Sequence, residues 1–152
     1  MATWQFDLAL LPHGSPLPTR GPEGYDAPTF MDREVKTAQA WLHERFGDPY
    51  EVLPDWLVYG SDKGNRIDVV LDSDFSAEIS ARLDARVNIT EFANELCDLC
   101  KTLNADLFSI EFWRVVDSST AAIEAALQRS RAIAYVRDPV SVLRAISQEA
   151  DR

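Results

Sequence analysis

The sequence predicts an α+β domain, a single twisted and mostly antiparallel β-sheet with helices packed on one face. Three observations carry that expectation. Apolar and polar residues alternate over 66–87, "RIDVVLDSDFSAEISARLDARV", the period of a strand. Apolar residues recur at three- and four-residue spacing over 29–47 and 88–104, the period of a helix that buries one side. The elements run strand, helix, three strands, helix, strand, helix, an order that favours antiparallel pairing with the helices on one face.

Taken in order, "TWQFDLALL" places Trp4, Phe6, Leu8 and Leu10 on one face of a half-buried strand and Gln5, Asp7 and Ala9 on the other. Residues 12–28 hold five of the eight prolines and three of the six glycines, so this long segment is expected to lack regular structure. The stretch "TFMDREVKTAQAWLHERFG" reads as a helix with Met31, Val35, Ala38, Leu42 and Phe46 inward. Thr29 and Asp32 resemble its start, and Gly47 its stop. Residues 50–87 read as a three-strand meander. Its members are Trp56–Tyr59, a strand with Ile67, Val69 and Leu71 on one face, and a strand with Ile79, Ala81, Leu83, Ala85 and Val87 on one face. The other face of the last strand is Glu78, Ser80, Arg82, Asp84 and Arg86, so the sheet is expected to leave one face open to water. Residues 88–104 form a second helix with Phe92, Leu96, Leu99 and Leu103 buried. Asn88 and Glu91 have capping-box spacing, and Asn104 is its stop. "DLFSIEFWRVVD" reads as one strand, with Phe108, Ile110 and Phe112 opposite Glu111 and Trp113. "SSTAAIEAALQRSR" is helical behind Ser118 or Ser119. "AIAYV" fits a short strand or a continued helix. "RDPVSVLRAIS" restarts a helix with Asp138 as cap and Pro139 first, and the tail 148–152 is expected to fray.

The 152 residues, 46% apolar, fit one globular domain over 1–152 with a self-sufficient core. No apolar run approaches the length that spans a bilayer, and the N-terminus lacks a basic leader, so the expected location is cytoplasmic, away from any membrane. The net charge is −10 and uneven. Residues 1–50 carry 4 basic and 7 acidic side chains, 51–100 carry 4 and 11, and 101–152 carry 7 and 7. An acidic middle repels nucleic acid and attracts a basic protein surface.

Three chemistries compete with that layout. Cys97 and Cys100 form a C-x-x-C inside a helix. With only His13 and His43 elsewhere, and those isolated, the pair reads as two packed thiols, although a redox role stays open. Asp68, Asp72, Glu78 and Asp84 could hold a hard cation. Positions four apart on a strand, however, are about 13 Å apart, and Arg66, Arg82 and Arg86 are interleaved. No nucleophile elbow or dinucleotide loop is present. The expectation is therefore a non-enzymatic protein-binding domain without cofactor or metal. A partner would meet Asp62, Asp68, Asp72, Asp74, Glu78, Asp84 and Trp113, the aromatic being of the type that anchors interfaces. The alternatives are a small metal-dependent enzyme built on the sheet carboxylates and a homo-oligomeric structural protein. Monomer and homodimer both fit the first reading.

The stretches "YGSDKGNRIDVVLD", "EISARLDAR" and "LQRSRAIAYVRDPVSVL" together resemble small bacterial immunity proteins encoded beside polymorphic or contact-dependent toxins. The resemblance covers about residues 56–145 and contains no catalytic motif. It implies a cytoplasmic single domain that binds and blocks one cognate toxin without a cofactor.

Overall fold

The structure is a computed structural model and describes residues 3–150. Nine strands and five helices are present among them: β1 (Gln5–Pro12), β2 (Thr19–Gly21), β3 (Gly24–Asp26), α1 (Asp32–Phe46), β4 (Tyr50–Leu53), β5 (Trp56–Gly60), β6 (Arg66–Leu71), β7 (Ala77–Asp84), α2 (Thr90–Leu103), β8 (Ala105–Ser109), β9 (Arg114–Val116), α3 (Thr120–Gln128), α4 (Arg131–Arg137) and α5 (Pro139–Ala150). Seven strands form one sheet in the order β4-β5-β6-β7-β1-β8-β9, every pair antiparallel, and β2 and β3 pair apart from it. The α+β architecture is as the alternation patterns require.

The core lies between one face of the sheet and the helices. Phe6, Leu8 and Leu10 of β1, Ile67 and Val69 of β6, and Ala77, Ile79, Ala81 and Leu83 of β7 meet Val35, Ala38 and Leu42 of α1 and Phe92, Leu96, Leu99 and Leu103 of α2. Ile123 and Leu127 of α3 and Ile133 of α4 complete it. The β5–β6 turn requires Gly60. Its φ is +97°, and a Cβ there would stand 2.8 Å from the Asn65 carbonyl oxygen.

Several expectations are corrected. The segment 12–28 contains a hairpin, with Thr19 opposite Asp26 and Arg20 opposite Tyr25, so its prolines flank regular pairing rather than forbid it. The meander has a fourth strand, β4, added at the outer edge by the Pro54–Asp55 turn. β7 ends at Asp84, and Val87 is exposed beyond it. "DLFSIEFWRVVD" is two strands. Ser109 accepts from the Phe112 amide (3.1 Å) and Trp113 takes φ +54°, so the chain reverses between β8 and β9. Phe112 therefore turns towards Phe6, while Trp113 packs edge-on against Phe108, the reverse of a simple two-residue alternation. Met31, not Thr29, precedes α1 and is exposed. Asn88 accepts from the Thr90 amide instead of closing a capping box. "AIAYV" is helical within α4. Asp138 accepts from the Ser141 amide at the start of α5, which continues through Ala150, so 148–150 are helical and 151–152 lie outside the described residues.

Candidate functional site

The β6–β7 hairpin distributes the seven candidate residues unevenly. On the face away from the helices, Asp68 is 4% exposed. The Arg66 Nε lies 3.0 Å from its Oδ1, and Arg66 Nη2 and Trp56 Nε1 donate to its Oδ2 (3.1 and 3.0 Å). Asp84, 2% exposed, receives Arg86 through Nε and Nη2 at 2.9 Å each and the Arg86 amide at 2.9 Å. Burial raises the Asp84 carboxyl, but these bonds from Arg86 outweigh it and hold the group below its ordinary range. Both charges are thus neutralised inside the fold. Asp62 is exposed, and its carbonyl oxygen accepts from Arg66 Nη1.

Asp72 and Asp74 lie in the tight β6–β7 turn, both exposed, and both carboxylates face the Ser76 hydroxyl. The Ser76 bonds hold Asp74 below the ordinary carboxylate range. Glu78 is half-buried and accepts from the Ala27 amide (3.1 Å); burial, first, then Asp72 and Asp26, push its carboxyl up, against that bond. On β1, Asp7 pairs with Arg82 at 3.2 Å and is also raised by burial. The carboxylates occupy the two ends and the middle of the hairpin, and among the described residues no three metal-ligating side chains converge.

Trp113 is not among the residues that line the space around Glu78 and Asp68; it is half-buried beneath the β2–β3 hairpin, on the far side of Tyr25. Arg20 stacks 4.2 Å over its ring and Tyr25 meets it edge-on at 6.2 Å. Beneath, Ala9, Leu11 and Phe108 form a second small core with Ala27, Ile110 and Trp113 against it. The face expected to be open is therefore polar over β6 and β7 but apolar and roofed over β1 and β8. Cys97 and Cys100 lie within α2, and burial pushes the Cys100 thiol up to about 12 and raises that of Cys97. Neither thiol is activated as a redox nucleophile requires.

One surface feature escaped the pattern reading. Phe75, at the tip of the β6–β7 turn, has φ +66° and is 70% exposed. Leu71 donates its amide to Asp55 (2.8 Å), which brings the β4–β5 turn beside it, with Leu53 61% exposed. The bridge between Phe30 and Ala77 brings Met31 to the same end, 67% exposed. Leu53 and Met31 therefore flank this end of the hairpin from opposite sides, with Phe75 at its tip and Asp55, Asp72 and Asp74 in the intervening turns. An aromatic in a turn that is otherwise two Asp and two Ser is the signal that could have found it.

Comparison of the chain with protein-family models, with curated proteins and with solved structures gives no match. No helix among the described residues is long and apolar enough to cross a membrane.

Proposed function

We propose that this is a non-enzymatic protein-binding domain, an immunity-type inhibitor that docks on a cognate bacterial toxin in the cytoplasm. The observation that carries the reading is Phe75, a bulky side chain in left-handed backbone and largely in water. Such a conformation costs an L-residue about 1–2 kcal/mol, and strained, outward-facing residues cluster at binding sites. Phe75 supplies an apolar anchor at the tip, flanked by Leu53 on one side and Met31 on the other, and Asp55, Asp72 and Asp74 supply acidic charge suited to a basic partner. The role expected of the seven candidates narrows accordingly: Asp72 and Asp74 belong to the docking end, Asp62 to the opposite end, and Asp68 and Asp84 support the hairpin from within.

Co-expression with the product of the adjacent gene tests this. The wild-type protein should restore growth of cells poisoned by that product and co-purify with it, and Phe75→Asn should abolish both while remaining folded. A harmless neighbour that forms no complex, or full protection by Phe75→Asn, would overturn the reading.

A further inference from the structure

The polar face also holds a cavity of about 150 Å³ between β3 and the middle of the sheet, walled by Tyr25, Trp56, Asp68, Glu78, Ser80 and Arg82. Its charges do not cancel. Arg82 is engaged by Asp7 at 3.2 Å and Asp68 by Arg66 at 3.0 Å. Glu78 is the remaining carboxylate, and among the described residues no cation pairs with it; the Ala27 amide is its hydrogen-bond donor. The cavity therefore carries one uncompensated negative charge, set between two aromatic side chains. Tyr25 is partly exposed, so the wall reaches solvent. Burial, then the nearby charge of Glu78, raises the Tyr25 phenol, which agrees with the two groups sharing this space.

We infer that the cavity binds an organic cation, a primary ammonium or a guanidinium, with Glu78 as its counter-charge and the Tyr25 and Trp56 rings as its walls. Aromatic faces attract cations within about 6 Å, most strongly where water is partly excluded. A cavity of this volume takes a ligand on the scale of a benzene ring. A bare divalent ion is disfavoured, because hard cations need about six oxygens and this site offers one carboxylate not already held by an arginine. An anion is disfavoured because both arginines nearby are neutralised. The cation could be a free amine or a Lys or Arg side chain of a docked protein. Val70 lies on the cavity wall, and its cross-strand neighbour Trp56 pairs in turn with Leu53 of the docking end, so a side chain from a partner seated there has a short path inward. The cavity itself does not depend on such a partner.

The intact ¹⁵N-labelled protein, titrated with n-butylammonium chloride and with methylguanidinium chloride against sodium chloride of equal ionic strength, tests the inference. The expected result is a saturable shift of the Trp56 indole N–H, assigned by its disappearance in Trp56→Phe. Glu78→Gln, which keeps an acceptor for the Ala27 amide, should weaken binding about tenfold, the effect of removing one charge-assisted contact. The spectrum of that variant reports directly that it is folded. A shift no larger than that produced by sodium chloride, or equal binding by Glu78→Gln, would overturn the inference. A parallel titration with N-acetyl-lysinamide separates the sources. Binding of it as well as of butylammonium supports a protein side chain as occupant, and binding of butylammonium alone supports a free amine. Because Phe75 lies outside this cavity, a negative titration leaves the docking surface standing.

Discussion

Phe75 offers a separation of stability from binding at the level of one side chain. Its φ of +66° suits Asn, whose short polar side chain tolerates left-handed backbone, far better than Phe. As the ring is largely in water, little burial is lost with it. Phe75→Asn should therefore be as stable as the wild type, or more stable by up to about 1 kcal/mol, in urea unfolding while its complex is lost; a large destabilisation would mean that the ring is a packing element after all. Two carboxylates give opposite pH signatures. Asp84 is held below its ordinary value, so its contribution is present above the unfolded-state value near pH 4 and is lost as pH falls through the folded-state value. Asp84→Asn should cost about 1–3 kcal/mol near neutral pH, a difference that narrows in acid. Glu78 is raised, so the fold resists its ionisation. The resulting penalty is present above its folded-state value and absent below the unfolded one. Glu78→Gln should melt higher than the wild type near neutral pH, with the gap closing by about pH 4. Melting curves across that range check both signs, and parallel pH profiles for the two variants would contradict the assignment.

Among elements, what could be read in advance was what periodicity encodes. The α2 stripe of Phe92, Leu96, Leu99 and Leu103 and the β6 and β7 faces with Ile67, Val69, Ile79 and Leu83 are buried as their spacing demands. What could not be read was set by contacts distant in sequence. The β8–β9 reversal has no Gly or Pro to mark it; a Ser109 hydroxyl and a left-handed Trp113 make the turn. The β2–β3 hairpin is three residues a side and pairs because Arg20 and Tyr25 have Trp113 to pack on. The candidate site was legible in part. Charge placement was visible, but which acids an arginine would neutralise depended on cross-strand register, as with Asp7 opposite Arg82. The helices differ in how firmly they are held. Helix α2 buries six residues, whereas α5 leaves Val140, Leu143 and Ile146 substantially exposed and packs mainly on α4. Segments with few buried apolar contacts open at low free energy. Hydrogen exchange should therefore find α5 amides exchanging many-fold faster than those of α2, and equal protection would show that α5 is part of the cooperative core.

For the whole molecule, the charge of −10 and its concentration in residues 51–100 matter more than any one acid. Asp68 and Asp84 of the hairpin are paired with arginines, yet Asp55, Asp72 and Asp74 remain exposed around the apolar end. A basic partner approaching from solution feels this field before any contact forms, so the field acts chiefly on the rate of encounter. Salt shortens its reach, from about 30 Å at 0.01 M to about 10 Å at 0.1 M. Dissociation of the proposed complex would depend instead on Phe75 and the flanking Leu53 and Met31. Raising salt over that range should slow association with the partner by at least about tenfold while leaving dissociation nearly constant. The double variant Asp72→Asn with Asp74→Asn should reduce both the low-salt rate and its steepness, and Leu53→Ser should instead speed dissociation. Stopped-flow binding at several salt concentrations reads all three. An association rate indifferent to salt would remove electrostatic steering from the account, and a salt-sensitive rate that the double variant leaves unchanged would move the steering charges to another part of the surface.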